Sequence, residues 1–149
     1  MTDKSDENWI QTMKTAEEIR LFSSSYIKKA KKGAPYSAQE ISALFCMALS
    51  QDISPLHLSQ NMGISKSAVS RLVDHMSQKG VIEKVPCPED GRSYCLRLTP
   101  KGADILKSVY FYYAEPVKLL EEALGKEQSQ ELLRLISLAN ANFKGRESK

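Results

Sequence analysis

Between Ser65 and Arg71 stand three serine hydroxyls and two cations: Ser65, Ser67, Ser70, Lys66 and Arg71. Hydroxyls exchange hydrogen bonds with base edges, lysine neutralises phosphate, and arginine serves either guanine or phosphate. Ala68 among them offers a methyl group that packs on a thymine methyl. At the start of a helix these side chains gain free backbone N–H groups and the positive end of the helix dipole. A second set follows in Glu89-Asp90-Gly91-Arg92. An arginine at the tip of a two-stranded wing suits the narrow, negative minor groove, with Asp90 orienting a neighbouring cation rather than touching DNA.

These groups can act together only if particular elements hold them. Ser65 caps a helix ending at Gly80, in which Val69, Leu72, Val73 and Met76 share one face and the polar residues take the others. A shorter helix precedes it. Ser54 is its cap, Pro55 its first residue, and Leu56, Leu58 and Met62 its expected buried face. Gly63 between the two fits a left-handed turn, and Ile64 plugs the corner. The period then changes to two, from Val81 to Cys87 and from Ser93 to Leu98, with Pro86, Pro88 and Gly91 in the turn between. Tyr94, Leu96 and Leu98 fall on one side; Ser93, Cys95 and Arg97 fall on the other. Helix, turn, helix and a charged hairpin is the order of a winged helix-turn-helix, and it points to DNA.

Long helices flank this unit. From about Asn8 to Lys31, the residues Trp9, Met13, Ala16, Ile19, Phe22, Tyr26, Ile27 and Ala30 draw one apolar stripe. Lys28, Lys29, Lys31 and Lys32 suit a helix C-terminus, and Gly33 is the expected stop. Ser37-Ala38-Gln39-Glu40 is a capping box, followed by Ile41, Leu44, Phe45, Ala48 and Leu49. Thr99-Pro100 starts a fifth helix reaching about Leu124. Tyr110-Phe111-Tyr112-Tyr113 should be crowded on nearly every side, and Pro116 should kink the helix. A sixth helix after Gly125 carries Leu132, Leu135, Ile136, Ala139 and Phe143, and the tail from Lys144 is expected to fray.

At 149 residues the chain suits one domain, with no repeat and no apolar run long enough to span a bilayer. Its mixed-charge N-terminus is unlike a secretory signal, so the expected location is the cytoplasm. The net charge of +3 is localised: residues 66–101 carry seven basic side chains against four acidic, and the segments on either side balance. Cys46, Cys87 and Cys95 lack C-x-x-C spacing and read as free thiols. His57 and His75 are the only histidines, and no pair of Cys or His has a ligand spacing, so no metal or cofactor is expected. Without a glycine-rich phosphate loop, a nucleophile elbow or carboxylates paired in an apolar setting, an enzyme is not expected.

The run Leu58 to Val73, then Gly80-Val81-Ile82-Glu83-Lys84, Pro88-Glu89-Asp90-Gly91-Arg92 and Leu96-Arg97-Leu98-Thr99-Pro100-Lys101-Gly102, resembles the MarR family of bacterial transcription regulators. The resemblance implies a mainly α fold with a β-hairpin wing over residues 1–149. About 37–101 would form the DNA-binding lobe, and about 8–34 and 102–144 the dimerisation helices. It implies a homodimer on a palindromic double-stranded operator, usually a repressor, often relieved by a small molecule or an oxidant. It assigns Ser65, Lys66, Ser67, Ser70 and Arg71 to the major groove and phosphates, Arg92 to the wing contact, and Asp90 to the wing aspartate. Ala68 departs from the family's usual threonine. The first helix lacks the cysteine on which the family's peroxide sensors rely. The family's effector pocket would here draw on Phe22, Tyr26, Tyr36, Cys46 and Tyr110, suited to a small aromatic or phenolic molecule. Two alternatives stand: a winged helix that binds protein, and a cysteine-based redox sensor using Cys87 and Cys95, where Lys84 and Arg92 nearby favour a thiolate.

Overall fold

A computed structural model describes residues 4–88 and 91–143. Asp90, with Glu89 beside it, lies outside the described residues, as does the tail from Lys144. The order is α1 (Lys4–Tyr26), α2 (Ala38–Leu49), α3 (Pro55–Met62), α4 (Lys66–Gln78), β1 (Ile82–Pro86), β2 (Tyr94–Leu98), α5 (Pro100–Leu124) and α6 (Lys126–Phe143). The fold is mainly helical with one antiparallel hairpin, in the register Ile82 with Leu98 to Pro86 with Tyr94.

The helix starts follow local chemistry. Ser37, Ser54, Ser65 and Thr99 each accept a hydrogen bond from the backbone N–H three residues on. Gly63 closes α3 in the left-handed conformation, φ +64°. Its N–H bonds to Ser59 O, and the Ser59 hydroxyl donates to Ile64 O at 2.6 Å. That geometry turns the chain directly into the Ser65 cap.

The core lies in the lobe from α2 to β2. Ala43, Leu44, Leu58, Met76, Val81 and Leu96 are fully buried, and Val69, Leu72 and Val73 turn the apolar face of α4 onto them. Two expected core residues lie outside: Leu49 at the end of α2 is 88% exposed and Leu56 is 49% exposed. Each sits at a helix end, past the area its neighbours cover. Ile53, between α2 and α3, forms a bridge with Leu96, whose N–H donates to Ile53 O at 2.8 Å. The wing thus gains a third, one-residue partner that periodicity does not reveal.

The first helix ends five residues before the expected Lys31. Beyond it, Lys28, the Lys29 carbonyl and Lys31 enter tertiary contacts instead of a helix cap. Lys28 pairs with Glu115 on α5, and the Tyr112 hydroxyl donates to Lys29 O at 2.6 Å. The ammonium groups of Lys28 and Lys31 lie over the Tyr112 ring. Gly33, at φ +80°, turns this connection toward α2.

The aromatic run is less crowded than expected: Phe111 is 83% exposed and Tyr110 53%. Pro116 stays within α5. Trp9, Met13 and Ile19 on α1 and Leu135 and Phe143 on α6 are also exposed within the single chain.

The cysteines differ from expectation too. Cys87 and Cys95 form a disulfide, with Cα atoms 5.0 Å apart. In the antiparallel register Cys95 stands opposite Val85, and Cys87, just past the end of β1, stands opposite Ser93, so the bond crosses the hairpin diagonally. Sequence spacing alone does not reveal that approach. Cys46 on α2 is outside the disulfide.

Candidate nucleic-acid interface

The α4 helix presents two chemically distinct sides. Val69, Leu72, Val73 and Met76 face the core, while Ser65, Lys66, Ser67, Ser70 and Arg71 are exposed and Ala68 is half-buried. The Ser65 hydroxyl is engaged in capping: it accepts from Ala68 N–H at 3.2 Å and lies 3.1 Å from the Ser67 hydroxyl. Lys66 and Ser70, together with Pro55, Leu56, Val69 and Tyr94, line a cleft of about 270 Å³. The cleft places the first turns of α4 and the start of β2 on one surface. Arg92, two residues before Tyr94, is exposed. The expected recognition-helix residues are therefore gathered beside the wing.

Tyr94 is an addition to the site. It is 39% exposed, borders the cleft and carries the Lys84 ammonium 4.8 Å from its ring centre. It alternates with Leu96 on one side of β2, yet it is exposed where Leu96 is fully buried.

Several cations of the basic segment serve the lobe itself. Arg97 donates to both carboxylate oxygens of Asp52, at 2.8 and 2.9 Å. Asp52 is held below the usual aspartate pKa first by that hydrogen bond, and the same pairing raises Arg97. Lys79 donates to Pro35 O and places its ammonium 4.4 Å from the Tyr36 ring centre. Lys101 donates to Lys79 O at 2.9 Å. Lys66, Arg71, Lys84 and Arg92, the other cations of residues 66–101, are exposed.

The segment Leu98-Thr99-Pro100-Lys101-Gly102 lashes α5 to the end of α4. The Thr99 hydroxyl donates to Gly80 O at 2.6 Å and accepts from Gly102 N–H at 3.2 Å. Thr99 N–H also donates to Val81 O. At Gly102 a Cβ would stand 2.1 Å from Val81 O, so only glycine allows this approach.

A separate cavity of about 210 Å³ lies between the α1–α2 connection, α2 and α5, lined by residues including Lys31, Tyr36, Ile41, Val109, Tyr112 and Tyr113. Of the five expected pocket residues only Tyr36 lines it. Phe22 and Tyr26 stack on each other with centroids 4.9 Å apart on α1, Cys46 packs against the lobe core, and Tyr110 points to the exposed side of α5. Burial, then the neighbouring Tyr112, pushes the Tyr113 hydroxyl above its ordinary pKa, so it is a neutral phenol beside the cavity.

Residues 35–93 match the model of the MarR family. The uncharacterised HTH-type transcriptional regulator YdgG of Bacillus subtilis is 25% identical over 114 residues, 75% of each chain. The multiple antibiotic resistance protein MarR of Salmonella typhimurium is 34% identical over 58 residues, which span 39% of this chain and 40% of that protein. The crystal structure of the transcriptional regulator BldR from Sulfolobus solfataricus superposes with a TM-score of 0.67 at 22% identity, covering 95% of this chain and 99% of that one, a likeness of fold. With its helix-turn-helix, its wing and the Thr99–Gly102 lashing in place, the segment of residues 35–93 is similar to the MarR family, and the chain as a whole shares the fold of that solved transcriptional regulator.

Proposed function

We propose that this chain regulates transcription as a homodimer on a palindromic operator, as a repressor that a small aromatic or phenolic molecule releases. One observation carries the DNA reading: the exposed Lys66, Ser67, Ser70 and Arg71 stand opposite the buried face of α4, on the same surface as the wing. A helix so presented enters a major groove with its first turns toward the bases while the wing reaches the neighbouring minor groove. Ser65 caps that helix, and Ala68 stands at its edge where a thymine methyl would pack.

The exposed apolar residues of α1, α5 and α6 support pairing of two copies through those helices, with about 37–101 left as the DNA lobe. An apolar surface of that extent on a lone chain marks an interaction site. The cavity at Tyr36 supports the effector: its volume is below the ~300–1,000 Å³ typical of drug-sized ligands and suits a molecule of one ring. Lys31 supplies a cation and Tyr113 a neutral hydroxyl at its wall.

Selection of duplexes from a randomised library, followed by a salt titration, tests this reading. An enriched inverted repeat with half-sites about one helical turn (~34 Å) apart is expected, with affinity falling steeply as salt rises. No enrichment, together with salt-insensitive or absent duplex binding, would favour a winged helix that binds protein.

A further inference from the structure

Covalent closure of the wing stands out because two prolines interrupt the backbone donors of its first strand toward the tip. Pro86 and Pro88 have no N–H to donate. Beyond the strand pairs, Cys87 N–H to Ser93 O at 3.2 Å is the backbone bond that continues the ladder. The Cys87–Cys95 disulfide joins the two strands at this level, eight positions apart in sequence, with Arg92 inside the segment it encloses. Its two cysteines are unequally accessible: Cys95 is 4% exposed and Cys87 is half-buried.

We propose that Cys87 and Cys95 form a reversible thiol–disulfide site, exchanging with low-molecular-weight thiols, that sets the affinity of the wing for DNA. The proposal rests on the DNA-binding reading above. In the oxidised state the bond limits the conformations open to the chain around Arg92, so less order is lost when Arg92 engages the duplex. Reduction removes that restraint and weakens binding. Disulfides in proteins that work among reducing thiols are mostly transient and redox-sensing, which suits a regulator.

The exchange balances. A small thiolate attacks the accessible Cys87 sulfur, forming a mixed disulfide and breaking the Cys87–Cys95 bond. Cys95 leaves as a thiolate and takes up a proton. A second small thiol, as its thiolate, attacks the sulfur of the small molecule, releasing Cys87, which is protonated in turn. The protein gains two electrons and two protons, and two small thiols become one small disulfide. The reverse exchange with a small disulfide restores the clasp.

Duplex affinity measured after reduction by dithiothreitol and after oxidation by glutathione disulfide, each reagent removed before binding, tests the proposal, using the duplex selected above. Reduction should weaken binding by about tenfold, the size of one lost arginine contact. Alkylation of the denatured protein should count one thiol in the oxidised form and three in the reduced form. The Cys87→Ser/Cys95→Ser variant should bind as weakly as the reduced protein under both conditions. Equal affinity in the two wild-type states, a redox response that persists in the variant, or three thiols under oxidation would overturn the proposal. Failure of the DNA reading looks different: no duplex is selected or bound in either state, and the proposed control of DNA affinity falls with it.

Discussion

His75 Nδ1 on α4 lies 2.9 Å from Glu40 Oε2 in the first turn of α2. Glu40 also accepts from Ser37 N–H at 3.1 Å and sits 3.9 Å from Lys79 Nζ. One largely buried carboxylate therefore caps α2 and anchors the far end of the recognition helix. Lys79 extends the connection to Pro35 and Tyr36, which line the cavity.

The carboxylate makes stability depend on acid. Burial opposes the Glu40 charge, but Ser37 N–H, Lys79 and His75 outweigh it and hold the carboxyl below the ordinary glutamate value. A pKa lowered by folding contributes stability that is present above the unfolded value of ~4.3 and is lost as pH falls through the folded value. Thermal melts across that acid range should show a smaller pH slope in Glu40→Gln than in the wild type. An identical slope would count against this role.

At Gly102 the contact is steric. A methyl group there meets the backbone oxygen of Val81, which cannot yield as a flexible side chain would. Gly102→Ala should cost about 1–3 kcal/mol or more and lower the melting temperature. An unchanged melt would mean that α5 separates from Val81 without penalty.

Arg97 and Asp52 tie the wing to the α2–α3 connection and act as one unit. Arg97→Ala and Asp52→Ala should each weaken duplex binding, and the double substitution should do little more than either alone. Additive losses would instead indicate that Arg97 contacts the duplex directly.

For Arg92 the expected pattern is the reverse. Arg92→Ala should weaken operator binding by ~1–3 kcal/mol without lowering the melting temperature. An unaltered affinity would remove the wing tip from DNA recognition.

Phe111 is so exposed on α5 that it tests assembly. Phe111→Glu should shift the protein toward monomer in sedimentation and weaken binding to a two-half-site operator more than to a single half-site. A dimer of undiminished stability would place the contact elsewhere.

Much of the winged helix-turn-helix was legible because its signals are local. Serine and threonine caps, the Gly63 turn and the spacing of Val69, Leu72, Val73 and Met76 each act within a few residues, so the order of letters suffices to place α3 and α4. The same reading ran α1 on to Lys31, because it saw four lysines at a helix end but not Glu115 and Tyr112, which engage Lys28, the Lys29 carbonyl and Lys31. It counted Arg97 among the basic side chains of residues 66–101 without its partner Asp52, which is 45 positions distant. It assembled a pocket from Cys46 and aromatic residues of the right segments, of which only Tyr36 lines this cavity, since which side of a helix meets a void depends on its neighbours.

What the sequence determined alone was the placement of recognition-helix residues Ser65 to Arg71 on an amphipathic helix beside a wing, because caps and periodicity are properties of the chain over one or two turns. What only the tertiary structure decided was the partnering of distant groups: Cys87 with Cys95, Asp52 with Arg97, and Glu40 with His75 and Lys79. Those pairings depend on which elements approach one another once the core closes, and that information belongs to the packing.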